Sequence, residues 1–253
     1  MSNAPEAATQ EALPESLAAA LEPLLAQAAQ KYEVEFEPLM VDGSPLHILQ
    51  IRNMRAHLDA LVAKGKLVDP LRELPLWAKI WPASFVLGRY LRKFEPAGKR
   101  MLELGAGCGV TGLVASRYGF GHVTLSDIND DALLFARINV MRNQLEDRVA
   151  VKRVDIASTR LDEKFDIISA SEVLYIEELH RPLLKFLLRH LNTAAGGKAV
   201  ICTDTRRKRS RFFKQAEKDF RVSEQMVGIR STGDDGEEER RVFTIHTLEP
   251  KHP

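Results

Sequence analysis

The sequence predicts a doubly wound α/β domain, and three observations support this class. From about residue 100 onward, short apolar strands alternate with amphipathic helices, which is the pattern of a mostly parallel sheet covered by helices. One of these strands, Phe165–Ala170, is largely apolar, as expected for a central strand that is buried on both faces. A glycine-rich loop, Gly105–Gly109, joins another strand directly to a helix.

Length and composition set broad limits on function. A chain of 253 residues accommodates one large domain, or one domain with an N-terminal addition. The formal net charge of +1 predicts no overall attraction to nucleic acid or to an anionic membrane. No apolar run is long enough to span a membrane and no signal peptide is recognisable, so no membrane partner is expected. The cysteines, Cys108 and Cys202, lack metal-ligand spacing, which predicts a reduced, cytoplasmic protein without a metal site.

Residues 1–73 are predicted to form an extension that precedes the main domain, residues 74–253. Leucines at helical spacing predict a helix from about Pro14 to Lys31. Pro23 lies inside this span and predicts a kink or a break into two short helices, because proline removes one helical hydrogen bond.

The rest of the extension is predicted to be a β-hairpin followed by a short helix. Apolar residues alternate over residues 32–36 and again over residues 47–51, with a strong turn signal at Asp42–Pro45 between them. Helical spacing resumes at Met54–Val62, and Gly65 fits the position just after a helix end.

Two tryptophans and two prolines occur close together in Leu74–Ser84. Trp77 and Trp81 each bring a large rigid face with one N–H donor, and the prolines restrict the backbone around them. Two interpretations remain open: the segment is a core plug over the end of the sheet, or it is a wall of a ligand pocket.

The glycine loop is predicted to face an oxygen-rich or anionic ligand, because it leads into a helix N-terminus with unpaired N–H groups. Its spacing is G-x-G-x-G, with Gly105, Gly107 and Gly109, and Glu103 precedes it. The dinucleotide fingerprint G-x-G-x-x-G does not fit, since Val110 stands at the third glycine position. An NAD-dependent dehydrogenase is therefore disfavoured, and a tight turn without a ligand remains the alternative.

The segment P-x-W-x-x-x-W-P, the helix after it and the run LELGAGCGVTG together resemble the seven-β-strand methyltransferases. Within that class they resemble the protein-lysine methyltransferases that include the calmodulin-lysine and electron-transfer-flavoprotein β-subunit enzymes. The resemblance covers about Leu74 to Thr205. It implies a Rossmann-like sheet of seven strands with the last strand antiparallel, S-adenosylmethionine as cofactor and S-adenosylhomocysteine as product. It also implies a protein lysine as the methyl acceptor.

The resemblance further implies which residues hold the cofactor. They lie at or near the carboxyl ends of the predicted strands: Trp81, Glu103, Gly105, Gly107, Gly109, Asp127, Ile128, Asp155, Ile156, Ser169 and Ala170. Asp127 is assigned to the ribose hydroxyls and Ile128 to the adenine ring, while a helix cap is the alternative for Asp127. Asp155 is assigned to the adenine amino group. Ile156 stands where the family often has tryptophan, so an aliphatic contact replaces an aromatic one.

Glu172 and Tyr175 are the predicted catalytic residues. Family members usually read Asp-x-x-Tyr at this strand end, whereas this chain reads Glu-x-x-Tyr, so the carboxylate reaches one methylene further. The structural alternatives are an acid at a helix N-terminus for Glu172 and, for Tyr175, packing under the helix of residues 178–191. His180 and His190 on that helix are expected to be solvated.

Several properties stay open at this stage. A small-molecule N- or O-methyltransferase and a non-catalytic S-adenosylmethionine-binding or protein-binding module are the alternative functions. The basic cluster Arg206–Arg211 is either a solvated loop and helix start, or a docking surface for an acidic protein or nucleic acid. Nucleic acid is disfavoured because no aromatic residue interleaves the cluster. The sequence does not specify the acceptor, the number of methyl groups transferred or the oligomeric state.

Overall fold

The computed structural model describes residues 13–63, 65, 74–206, 210–232 and 238–252. The strands are, in chain order, β1 (Val34–Val41), β2 (Ser44–Ile51), β3 (Arg100–Leu104), β4 (His122–Asp127), β5 (Val149–Arg153), β6 (Ile167–Ser171), β7 (Lys198–Asp204), β8 (Phe220–Thr232) and β9 (Glu238–Pro250). The helices are α1 (Glu15–Ala29), α2 (Met54–Ala63), α3 (Pro82–Leu91), α4 (Val110–Arg117), α5 (Asp130–Arg142), α6 (His180–His190) and α7 (Ser210–Ala216).

The main sheet has seven strands in the order β5-β4-β3-β6-β7-β9-β8. Strands β3 to β7 pair in parallel, and β9 runs antiparallel to both of its neighbours. The predicted doubly wound, seven-stranded sheet with an antiparallel last strand is therefore confirmed, as are the N-terminal helix and hairpin. No helix within the described ranges combines the length and the apolar character needed to cross a membrane.

Strand β3 is an interior strand of the sheet, because it pairs with β4 on one side and with β6 on the other. Its residues Met101–Leu104 are all buried, which explains the apolar sequence on both faces. Successive residues belong to different cores: Met101 packs with α3, α4 and α5, whereas Leu102 packs with α6 and α7. Helices thus cover both faces, and the loops at the carboxyl ends of the strands meet along one edge.

Helix α1 is continuous through Pro23, so of the two predicted outcomes the break into two helices is wrong, and the kink stays a prediction. Leu21 and Ala28, on either side of the proline, are both buried. The burial of these two side chains holds the helical turns before and after Pro23 against the body of the protein. This packing offsets the single backbone hydrogen bond that proline cannot donate.

The hairpin of β1 and β2 has a two-residue turn, because Val41 pairs directly with Ser44. Asp42 and Gly43 both have positive φ, 46° and 87°, which is the backbone of a type I′ turn. Both strands are longer than predicted, and Pro45 lies inside β2 rather than in the turn. This hairpin is a separate sheet, yet it shares a hydrophobic core with α3, α4 and α5.

His180 and His190 are buried, so their predicted solvation is wrong. The Nε2 atom of His180 lies 3.1 Å from the carbonyl oxygen of Leu174. The Nε2 atom of His190 accepts a hydrogen bond of 3.0 Å from the backbone N–H of Leu161. Both imidazoles therefore satisfy backbone groups of the loops that follow β5 and β6.

Candidate active site

The loops that follow β3 and β6 touch at the carboxyl edge of the sheet. Gly105 is exposed and has a φ of +61°, and a Cβ there would lie only 2.8 Å from the Cγ1 atom of Val173. After β3 the chain adds β4 and β5 on one side of the sheet, whereas after β6 it adds β7 on the other side. The direction in which strands are added therefore reverses between β3 and β6. Ligands of open α/β sheets bind at this switch point.

Gly107 packs directly against the tryptophan segment. Its φ is +55°, and an added Cβ would lie 2.7 Å from the carbonyl oxygen of Trp77. The same oxygen accepts a 3.0 Å hydrogen bond from the N–H of Cys108. The Trp77 ring meets Tyr32 and Phe135 edge to face, at centroid distances of 5.7 and 4.9 Å. The Trp77 ring is therefore partly buried against the core, and its carbonyl supports the glycine loop, so the core-plug and pocket-wall interpretations both stay open.

Trp81 is partly buried just before α3. Its indole N–H donates a 2.7 Å hydrogen bond to the carbonyl oxygen of Leu76, and the Nζ atom of Lys79 lies 5.4 Å from the centre of its ring. This internal hydrogen bond fixes the ring orientation. Contact between Trp81 and a cofactor remains a prediction.

Glu103 is 2% exposed and ties the end of β3 to the first turn of α4. Its Oε2 atom accepts a 2.8 Å hydrogen bond from the N–H of Gly112. Burial raises the pKa of its carboxyl group from 4.5 to about 7, even though the hydrogen bonds from Thr111 and Gly112 oppose the shift. Gly109, at the start of α4, has positive φ. A cofactor role for Glu103 and Gly109 stays a prediction.

Asp127 and the glycine loop are joined by a hydrogen bond. Its Oδ2 atom accepts from the N–H of Gly107 at 3.0 Å, and its Oδ1 atom accepts from the N–H of Asn129 at 3.0 Å. Asn129 itself caps α5, since its side chain accepts from two N–H groups of the first turn. The helix-cap alternative for Asp127 is therefore not what the structure contains. Ile128, the next residue, is 54% exposed and presents an apolar surface beside this carboxylate.

Asp155 and Ile156 follow β5 in a tight turn. The Asp155 carboxylate accepts 2.8 Å hydrogen bonds from the N–H of Ala157 and the hydroxyl of Ser158. These bonds hold the pKa of Asp155 below its usual range. Ile156 is partly buried against the second core. The structure brings both residues to the same edge of the sheet as Asp127, because β5 is the neighbour of β4.

The end of β6 delivers Glu172 to the same edge. Glu172 has a φ of +55°, which is rare for a residue with a side chain. Its Oε1 atom accepts a 2.5 Å hydrogen bond from the N–H of Asp204 at the end of β7. The next helical turn begins only at Glu177, so Glu172 is not an acid at a helix N-terminus. Tyr175 is 44% exposed, which excludes its packing beneath α6.

Ser169 and Ala170 lie within β6 and are buried, at 0% and 2% exposure. The hydroxyl of Ser169 has no hydrogen-bond partner in the structure. Their predicted contact with a cofactor is untested by this arrangement.

Carboxylates from four strand ends line this edge: Asp127, Asp155, Glu172 and Asp204. Arg206 binds Asp204 through two nitrogens, with its Nε atom 3.0 Å from Oδ1 and its Nη2 atom 2.6 Å from Oδ2.

The basic cluster 206–211 lies partly outside the described residues, at positions 207–209. At its ends, Arg206 pairs with Asp204, and the Nη1 atom of Arg211 lies 2.7 Å from a carboxylate oxygen of Glu177. Helix α7 begins inside the cluster, at Ser210.

The described residues provide neither a clustered set of metal ligands nor a reactive thiol. Across the described ranges, His, Cys, Asp and Glu form no group that is able to hold a metal ion. Cys108 is buried inside the glycine loop, and burial raises the pKa of its thiol to about 12. Such a thiol is not a nucleophile at neutral pH. The site instead offers backbone N–H groups, carboxylates and apolar surface, which suits the binding and orientation of a reactive cofactor.

Sequence reasoning missed the Trp77 carbonyl, and it noted Asn139 and Asn143 only as resembling the paired asparagines of the family, without predicting their contacts. The Nδ2 atom of Asn139 donates a 2.8 Å hydrogen bond to the carbonyl oxygen of Cys108. A backbone carbonyl leaves no trace in sequence. The pair Asn139 and Asn143, four residues apart on a buried helix face, is a signal that asparagine pairs with backbone groups there.

Comparison with known proteins places this geometry in context. A protein-family profile described as lysine methyltransferase matches residues 75–219. Protein N-lysine methyltransferase METTL21A from Danio rerio is 30% identical over 169 residues, which cover 63% of this chain and 75% of that protein. Electron transfer flavoprotein beta subunit lysine methyltransferase from Rattus norvegicus is 33% identical over 107 residues, 42% of this chain and 41% of that protein.

A solved structure, described as a putative RNA methyltransferase from Pyrococcus horikoshii, superposes with a TM-score of 0.54. The superposition covers 78% of this chain and 98% of the other, at 16% sequence identity. At that identity the likeness concerns the fold alone.

Proposed function

Because the chain belongs to the lysine methyltransferase family, we propose that it is an S-adenosylmethionine-dependent methyltransferase that acts on a lysine side chain of a protein. The family profile covers more than half of the chain and includes every strand from β3 to β7. The observation that carries the proposal is the contact between the loops after β3 and β6, with the Asp127 carboxylate bound to the Gly107 N–H beside it.

The residues at this edge fit the parts of the cofactor. The exposed backbone at Gly105 admits the methionine portion, and Asp127 is suited to the ribose. A carboxylate has about four acceptor positions, so Asp127 retains capacity for ribose hydroxyls beyond its two backbone bonds. The exposed side chain of Ile128 offers one apolar face to the adenine, and Asp155 and Ile156 lie on the neighbouring strand end.

When bound, the cofactor supplies an electrophilic methyl group on a sulfonium. The chain must then present a neutral amine in line with that methyl, although a free lysine has a pKa of about 10.4. In the proposed mechanism, Glu172 attracts and orients the incoming ammonium group and accepts its proton. The Tyr175 ring, adjacent in the same loop, shields the amine from water and thereby favours its neutral form.

A protein acceptor is supported by the openness of the edge. Ile128 and Tyr175 are 54% and 44% exposed, so surfaces on two sides of the site reach solvent. A small-molecule enzyme would be expected to enclose these side chains. We further propose a cytoplasmic location, because Cys108 and Cys202 are both free thiols.

The first experiment is calorimetric titration of the purified chain with S-adenosylhomocysteine, with NAD as the control ligand. The proposal expects micromolar affinity for the first and none for the second. Two isosteric variants locate the site. Asp127→Asn removes charge at the proposed ribose position, whereas Asp166→Asn removes a carboxylate that accepts the N–H of Arg100 at the opposite end of the sheet.

Hydrogen bonds to a charged group are worth roughly 1.5–3 kcal/mol each. We therefore expect Asp127→Asn to weaken S-adenosylhomocysteine binding by about 30-fold or more, and Asp166→Asn by less than about 2-fold. Equal effects of the two variants would remove Asp127 from the ribose site. Transfer of a labelled methyl group into lysate protein, followed by identification of methyl-lysine, then tests the acceptor class.

A further inference from the structure

The edge of strand β2 that faces away from β1 forms hydrogen bonds with asparagine side chains at the end of helix α5 instead of with another strand. The N–H of His47 donates to Oδ1 of Asn143 at 2.8 Å, and the carbonyl of His47 accepts from Nδ2 of the same side chain at 2.8 Å. The N–H of Leu49 donates to Oδ1 of Asn139 at 2.6 Å. Two residues along a strand span about 6.6 Å and four along a helix about 6 Å, so the amides of Asn139, in α5, and Asn143, the residue just after it, match the repeat of β2.

Asn139 also reaches the glycine loop. Its Nδ2 atom donates 2.8 Å to the carbonyl oxygen of Cys108, and the side chain is fully buried. Each end of the amide faces the complementary backbone group, an N–H at the oxygen and a carbonyl at the nitrogen. One side chain therefore connects the N-terminal hairpin to the loop between β3 and α4.

The loop is held at both polar groups of one residue. The N–H of Cys108 donates to the Trp77 carbonyl, and the carbonyl of Cys108 accepts from Asn139. Gly107 and Gly109, on either side of Cys108, have positive φ, and glycine has more accessible backbone conformations than other residues. The two hydrogen bonds of Cys108 therefore select one conformation of the loop.

We propose that Asn139 is a positioning residue for the cofactor loop, and that through it the N-terminal hairpin contributes to cofactor affinity. This inference rests on the proposed function, because it assumes that the loop binds S-adenosylmethionine. Loss of the Asn139 amide leaves the Cys108 carbonyl buried without its donor, and the loop then samples conformations that do not bind.

Asn143 provides a matched control on the same helix face. Its side chain is also buried and forms hydrogen bonds with the same strand. It donates a 2.7 Å hydrogen bond to the carbonyl oxygen of Asn139, but it forms none with the described residues of the glycine loop. Asn139→Ala and Asn143→Ala should therefore both lower the melting temperature, while they differ in their effect on the loop.

The test is S-adenosylhomocysteine titration of both variants below their melting temperatures. A hydrogen bond that is lost at a buried carbonyl costs roughly 1–3 kcal/mol. We expect Asn139→Ala to weaken binding by about 10-fold and Asn143→Ala by less than about 2-fold. Hydrogen exchange in a peptide covering residues 105–112 should rise in Asn139→Ala only. Equal changes in the two variants would overturn the inference while leaving the proposed function intact.

A measurement on the wild-type chain covers the case in which Asn139→Ala does not fold. Coupling is reciprocal, so bound S-adenosylhomocysteine should slow hydrogen exchange in the hairpin peptide 44–51 as well as in the loop. Protection confined to the loop would refute the coupling. Failure of the wild-type chain to bind S-adenosylhomocysteine would overturn the proposed function and this inference together. Normal binding without the coupling would overturn this inference alone, so the two outcomes are distinguishable.

Discussion

Replacing Glu103 by Gln should stabilise the fold at neutral and alkaline pH. The carboxyl group is fully buried, and burial raises its pKa from 4.5 to about 7. The folded state therefore binds the proton more tightly than the unfolded chain. The contribution of this group to stability is complete below pH 4.5 and is lost as the pH rises through 7. Each pKa unit corresponds to about 1.4 kcal/mol, so the full difference is about 3 kcal/mol.

Gln approximates the protonated acid, because its amide oxygen can still accept the N–H of Gly112. We expect wild-type and Glu103→Gln proteins to have similar free energies of unfolding at pH 4.5. At pH 8 the variant should be more stable by up to about 3 kcal/mol. Urea denaturation at half-unit pH intervals from 4.5 to 8 measures this difference directly.

Glu249→Gln is a control with the opposite sign. Hydrogen bonding to Lys198 lowers the pKa of Glu249, so its contribution is present at neutral pH and declines as the pH falls. This variant should lose stability at pH 7 and match the wild type in acid. The reasoning about Glu103 is refuted if the stability difference between Glu103→Gln and wild type does not change between pH 4.5 and 8.

Three further predictions follow from the same structure. Gly107→Ala should lose roughly 3 kcal/mol of stability, because its Cβ would lie 2.7 Å from the Trp77 carbonyl oxygen. Gly98→Ala, also at positive φ but with open space around it, should lose roughly 1 kcal/mol. Urea denaturation measures both losses, and equal losses would exclude the clash. Glu172→Gln should reduce methyl transfer roughly 100-fold, the usual scale for a proton-transfer group, while calorimetric affinity for S-adenosylhomocysteine stays within about 3-fold; parallel losses would place Glu172 in the cofactor site. Burial lowers the pKa of His246 from 6.5 to about 4, so the unfolded chain takes up the proton first and stability should fall between pH 6.5 and 4; His246→Gln should flatten that part of the melting-temperature profile, and an unchanged slope would assign the acid loss to other groups.

The strands of the main sheet were predictable because their signals are local. The predicted strand Phe165–Ala170 overlaps β6, Ile167–Ser171, since a largely apolar run is typical of a parallel strand that is buried on both faces. The glycine loop was predictable for the same reason. Glycine readily adopts positive φ, so three closely spaced glycines indicate a tight loop, and all three have positive φ.

The interactions of the site residues were not predictable, because their partners are distant in sequence. Asp127 binds a backbone N–H 20 residues away, and Glu172 binds one 32 residues away. Only the packing of parallel strands brings those groups together. The burial of His190 has the same origin, because its imidazole accepts the N–H of Leu161, 29 residues earlier in the chain.

The position of β9 between β7 and β8 has a consequence for synthesis of the chain. Among the described strands, β8 pairs only with β9, which is synthesised after it. Strand β8 therefore has no place in the sheet until Glu238–Pro250 has been made. A stop codon just before Glu238 would remove two strands from the sheet rather than one. It would also expose β7, with Asp204 at its end, as an unpaired edge open to association with another chain.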